Sequence, residues 1–148
     1  MEKKELAKVL SEVLMPIGFK KKGNFWVING VEITKMVNIQ KSKFGNYFYI
    51  NYGYILNSVP LNGMTMHIYK RVASLNKDEN LRIDELLNLE SNICDEVRAQ
   101  EIKKLLNEKL VNKIIEINSE IDILNELKKL PHLNDIPLVI KRHYNLPE

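Results

Sequence analysis

The chain carries one cysteine, Cys94, among 148 residues. That excludes an intramolecular disulfide and any multi-cysteine zinc or iron–sulfur site. Long apolar runs are missing as well: no stretch approaches the roughly 20 residues that span a membrane. Near the N-terminus, Lys8, Ser11 and Glu12 interrupt the single apolar stretch that resembles a secretion signal. No Gly-x-Ser-x-Gly, P-loop or dinucleotide fingerprint occurs. The expectation is therefore a soluble, cytoplasmic protein, and any enzyme site would have to be assembled from residues that no motif announces. The length suits one domain over residues 1–148, large enough to fold without disulfide or metal.

Glycine and aromatics run out half-way along. All six glycines lie between Gly18 and Gly63, and ten of the eleven aromatics between Phe19 and Tyr69, with Tyr144 the exception. Charge divides in the same place. Residues 1–71 hold eleven Lys/Arg against four Asp/Glu, net +7, and residues 72–148 hold eleven against fifteen, net −4, which gives the overall +3. A basic, aromatic, glycine-punctuated half thus precedes a more acidic half.

Periodicity assigns structure to each half. Leu6, Val9, Leu10, Val13 and Leu14 share one face of a helix over residues 3–15, which Pro16 ends by forcing Met15 out of helical geometry, with Gly18 as a further stop. A sheet is expected over residues 24–72. Strands 24–28 and 31–40 flank Asn29-Gly30, a two-residue hairpin signal in which both residues need positive φ. Val31, Ile33, Val37 and Ile39 share the apolar face, and Lys35 on that face calls for an edge or a bulge. In the strand over 47–56, Phe48, Ile50, Tyr52, Tyr54 and Leu56 point to the core. A fourth strand turns Met64, Met66 and Ile68 inward, with Thr65, His67, Tyr69 and Arg71 outward. A helical part covers 82–146. It begins with a short helix around Ile83, Leu86 and Leu87, and continues as an apolar stripe from Ile102 to Leu124. Ser119 breaks that stripe as an N-cap, Pro131 ends the second helix, and a last helix starts near Asn134. The expected fold is α+β: an N-terminal helix, a four-stranded antiparallel meander, and three to four C-terminal helices packed on the sheet.

Two segments carry a family resemblance. Gly18-Phe19-Lys20-Lys21-Lys22-Gly23-Asn24-Phe25 follows the first helix, and Val37-Asn38-Ile39-Gln40-Lys41-Ser42-Lys43-Phe44-Gly45 leads into Tyr47-Phe48-Tyr49-Ile50-Asn51. Over roughly residues 6–71 the chain resembles a family of short, mainly bacterial proteins known as a domain of unknown function, number 4304 in its series. The resemblance implies an α+β domain and supplies no catalytic residue.

The candidate ligand- or partner-binding surface is the polar sheet face: Asn38, Gln40, Tyr47, Tyr49, Asn51, His67, Tyr69 and Arg71, with Lys41, Ser42 and Lys43 at its rim. Tyr and Arg combine apolar area with directed hydrogen bonds, as recognition surfaces require. The bland alternative is a wet face, or one buried under the helices. The basic residues Lys20, Lys21, Lys22, Lys41 and Lys43 suggest a second reading, in which loops converge at one end of the sheet and bind nucleic acid, with Phe44, Tyr47 and Tyr49 stacking bases. No DNA- or RNA-binding motif accompanies them. His67, His132 and His143 are scattered, so no metal site, cofactor or catalytic set is expected. Cys94, before Asp95 and Glu96, reads as a small hydrophobe at a helix start. The leading expectation is a non-enzymatic binding module for a protein or small ligand, of which toxin neutralisation is one form. A nucleic-acid-binding protein and an enzyme with an unrecognised site are the alternatives.

Overall fold

A computed structural model covers residues 1–148. Helix α1 (Lys3–Leu14) buries Leu6, Val9, Leu10, Val13 and Leu14, the stripe that its periodicity announces. Each such side chain leaves water with a gain of about 1.5–3 kcal/mol. Met15 nevertheless stays in right-handed helical geometry (φ −63°, ψ −39°). Pro16 falls inside a 3-10 turn over Met15–Ile17, near whose start a missing N–H costs nothing, so the chain tightens there before leaving the helix. Gly18, at φ 109°, is the stop.

Five strands follow, one more than the periodicity indicates: β1 (Lys20–Lys22), β2 (Phe25–Asn29), β3 (Ile33–Lys41), β4 (Phe48–Leu56) and β5 (Ile68–Arg71). They form an antiparallel meander in the order β1-β2-β3-β4-β5. The additional strand is an edge strand of three exposed lysines with no apolar alternation. It pairs through its backbone with β2, across a tight turn at Gly23-Asn24 in which Gly23 takes φ 62°. Asn29-Gly30 does mark a hairpin, but neither residue has positive φ, and three residues, 30–32, make the loop. The Asn57 side chain holds that loop by donating to the Gly30 and Val31 carbonyls at 2.8 and 3.1 Å. Glycine is needed at 30 for space: a Cβ there would lie 2.5 Å from the Ile33 carbonyl oxygen.

The last strand is shorter than expected, and its first residues change faces. Ile68 joins the core, whereas Met66 lies over Gly53 on the opposite side, where a Cβ on Gly53 would stand 2.5 Å from its sulfur. His67 sits between them, 2% exposed, outside the ladder. Lys35 needs neither an edge nor a bulge. The β3–β4 register runs unbroken from Ile33 to Lys41, and the Lys35 ammonium crosses the core face to donate to Asn118 Oδ1 at 2.7 Å.

Helix α2 (Lys77–Leu87) starts five residues before the expected position, because Asn76 caps it by accepting from the Glu79 N–H at 2.9 Å. The apolar stripe becomes α3 (Asp95–Leu106), a π-turn at Asn107–Val111 and the short α4 (Asn112–Ile114). Ser119 caps α5 (Glu120–Lys128), and α6 is confined to Leu138–His143 with Pro137 before it. Cys94 precedes α3 and is exposed, so it is not a packed hydrophobe. One core of 31 buried residues joins α1, the sheet and the C-terminal helices. No helix is long and apolar enough to cross a membrane.

Candidate functional site

Strand alternation sorts every polar residue of the sheet onto one of two faces. The helices take the face of Trp26, Lys35, Val37, Ile50, Tyr52 and Tyr54: Trp26 Nε1 donates to Ser11 of α1 at 3.0 Å, and Lys35 reaches Asn118 just before α5. The opposite face is built in rows by the ladder. One row runs Lys22, Phe25, Asn38, Asn51, Arg71, and the next runs Lys20, Val27, Met36, Gly53, Tyr69. Gln40 and Tyr49 pair beside the first row.

Four side chains of this face form a closed network. The Asn51 amide donates to Asn38 Oδ1 and to Gln40 Oε1, both at 3.0 Å. Arg71 Nε donates to Asn51 Oδ1 at 3.1 Å and Nη2 to Gln40 Oε1 at 3.2 Å. The guanidinium lies over the Tyr49 ring, 4.0 Å from its centroid, a stacking that helps to fix its orientation. Asn51 is fully buried beneath it, yet Arg71 and Gln40 remain exposed and Tyr69 is 50% exposed. Asn38, Gln40, Tyr49, Asn51 and Arg71 are therefore brought together, with Tyr69 and the ammonium groups of Lys20 and Lys22 on the same side. At one margin the end of α2 approaches, where Asp84, Glu85 and Asn88 line a groove with Tyr47 and Tyr49.

Other sequence-derived candidates lie elsewhere. His67 is not on this face: its Nδ1 accepts from the Leu56 N–H and its Nε2 stands 3.0 Å from the Pro60 carbonyl, so it holds the chain leaving β4. Lys21 turns to the helix side, 5.6 Å from the Trp26 ring, and lines an open groove with Lys3, Lys4 and Lys8 of α1. Lys22 and Lys41 flank two turns that the antiparallel register places at the same end of the sheet, with Lys41 three residues beyond the row of Lys22. Ser42 and Lys43 belong to the second of these turns, where Ser42 Oγ accepts from the Phe44 N–H and Phe44 is 90% exposed. No three His, Cys, Asp or Glu side chains gather as metal ligands.

A family model, described as a domain of unknown function (DUF4304), matches residues 10–127. The chain belongs to this family. No curated protein and no solved structure matches it. The matched span of this DUF4304 chain takes in the whole sheet and continues through α3 to α5, well past the fourth sequence-predicted strand.

The helix-covered face holds polar residues, of which periodicity assigns Tyr52 and Tyr54 simply to the core. Tyr54 and Lys70 line two adjoining cavities between β4, β5 and the α4–α5 region, and Tyr52 lines one of them. Burial lowers the Lys70 ammonium's pKa and raises those of the Tyr52 and Tyr54 phenols, with Glu126 adding to the upward shift on both tyrosines. Lys70 is in register with Tyr52. In the sequence, the inward phase of Lys70 opposite two inward tyrosines was the available signal.

Proposed function

We propose that this protein is a non-enzymatic binding module that engages an acidic protein surface through the uncovered face of its sheet. The observation that carries the reading is the Asn38–Gln40–Asn51–Arg71 network with Tyr49 beneath the guanidinium. Fixing Arg71 by two hydrogen bonds and a ring removes much of the side-chain entropy that binding would otherwise cost, and leaves further N–H groups free for a carboxylate. Tyr49, Tyr69, Lys20 and Lys22 add the aromatic area and positive charge that suit such a partner. Toxin neutralisation would be one instance. A cytoplasmic setting accords with an exposed, unpaired Cys94.

Affinity capture from extract of the host cell, with wild type and three variants in parallel, tests this reading. Arg71→Ala and Lys22→Glu should lose the partner that wild type retains, while Lys3→Glu, on the far side, should keep it. Equal recovery by all four removes the site.

The groove of Lys3, Lys4, Lys8 and Lys21 favours a second reading, a polyanion such as single-stranded nucleic acid held by phosphate contacts. Anisotropy of a labelled oligonucleotide at two salt concentrations decides it. About four phosphate contacts on a single strand give a log–log salt slope near −3, and a flat response excludes the reading.

A further inference from the structure

We infer that the cleft between β4–β5 and α5 is a binding site for a small carboxylate with an apolar body, distinct from the Arg71 network, with Tyr69 the one residue common to its lining and the uncovered sheet face. Its two cavities share Tyr54, Lys70 and Glu126. One half is apolar, walled by Ile68, Ile123, Leu127, Leu130 and Ile136, with a volume of about 160 Å³. An apolar protein cavity of about 150 Å³ holds a benzene molecule, so this half suits a single ring or a short alkyl chain and is too small for a lipid tail. The other half, about 130 Å³, is polar and lined by Tyr52, Tyr54, Lys70, Lys113, Glu116 and Glu126.

No carboxylate of the polar half forms a salt bridge with Lys70, its least exposed cation. Glu126, the carboxylate whose field Lys70 feels most, is paired with Lys129 at 3.1 Å. Glu116 and Lys113 are exposed at the rim, and Asp135, also exposed, stands at the mouth of the apolar half. Lys70 itself is half-buried and in no ion pair. The Tyr52 and Tyr54 hydroxyls make no hydrogen bond within the protein. Arg98 Nε is the one fully buried side-chain polar atom left without a partner, so both hydroxyls open onto the cavity even though their rings are buried. Two phenols and an ammonium thus line one cavity half next to an apolar slot. A carboxylate accepts from all three, and its apolar body fills the slot.

Titration calorimetry and amide-resolved NMR with benzoate, benzamide and benzylamine test the assignment on the full chain. Benzoate should bind saturably and most tightly, and shift amides of Tyr52, Tyr54, Lys70, Ile123 and Leu127. Lys70→Met should weaken benzoate by about tenfold or more, as loss of a hydrogen bond to a charged group does, and should leave benzamide nearly unchanged. Tyr54→Phe, a milder change that keeps the ring, should weaken benzoate by less. Ile136→Trp should exclude all three probes by filling the apolar half. Absence of saturable binding by a folded protein at about 10 mM ligand, several times weaker than millimolar affinity, overturns the proposal. So does equal affinity for benzoate and benzylamine, or a shift pattern centred on Arg71 and Tyr49.

Discussion

Both faces of this sheet carry polar side chains, and they treat them in opposite ways. On the uncovered face Asn38, Gln40, Asn51 and Arg71 bond to one another, so polar groups at the sheet centre are satisfied without any helix. On the helix-covered face the strands' polar groups do not bond to one another. Lys35 has one partner, Asn118, and Lys70, Tyr52 and Tyr54 meet open cavity. Mutual satisfaction makes a stiff, pre-set surface. Isolation makes polar groups that a ligand or a solvent molecule can complete. The contrast is one of energetics: apolar burial should dominate on the covered face, and network integrity on the other.

The largest effect should come from the covered face. Trp26 is completely buried against α1 and donates to Ser11. Trp26→Ala should cost about 3–5 kcal/mol in chemical denaturation, combining lost transfer energy with a cavity. A cost below about 1 kcal/mol would mean that α1 does not lock the sheet through this residue and would blur the distinction between the faces.

The uncovered face is sharpened by Asn51, the fully buried centre of the network. Asn51→Ala strips donors from Asn38 and Gln40 and an acceptor from Arg71 Nε at once. The expected cost is about 1–3 kcal/mol, the penalty for leaving the buried Asn38 side chain without its donor. In a double-mutant cycle with Arg71→Ala the two changes should fall short of additivity by at least about 0.5 kcal/mol. Strict additivity would reduce the network to neighbouring but independent contacts.

These differences explain what the sequence made legible. Period-two alternation over Phe48–Leu56 identifies both faces of β4 correctly, and the 3.6 period places α1, because burial itself imposes those patterns. β1 was missed because an edge strand of three lysines rests on backbone pairing, which leaves no side-chain pattern. Met66 and His67 were misplaced for a related reason. Alternation holds only within a strand, and β5 does not begin until Ile68, so His67 bonds back to Leu56 and Pro60 while Met66 crosses to Gly53. Asn38, Gln40, Asn51 and Arg71 could be assigned to a common face, but their hydrogen bonds follow from the β3–β4 and β4–β5 register, which one sequence does not fix. The inward phase of Lys70, Tyr52 and Tyr54 is a local signal of polar groups, but the cleft itself depends on where α5 lies, which no local pattern encodes.

The smallest effect should come from Lys35, and its sign tests the contrast most sharply. Burial depresses the Lys35 pKa, with Asp122 partly opposing the shift. The charged form is therefore less comfortable in the native protein than in the unfolded chain, where lysine titrates near 10.4. Between the lowered native value and about 10.4 the unfolded chain holds more protons, so native stability from this residue rises with pH across that window. Lys35→Met keeps the aliphatic body, removes the buried charge and releases Asn118, which is exposed and can turn to water. At pH 7 the variant should lie within about 1 kcal/mol of wild type or be more stable, as when buried ionic groups give way to apolar ones of similar volume. Any advantage should shrink as pH approaches 10, because wild-type Lys35 then sheds its proton. Urea denaturation of both proteins at pH 7 and pH 10 measures the difference directly. If Lys35→Met instead destabilises by more than about 2 kcal/mol at pH 7, the Lys35–Asn118 bond is a net stabilising contact. Polar groups on the covered face would then be as well satisfied as those of the Arg71 network, and the contrast between the two faces would fail.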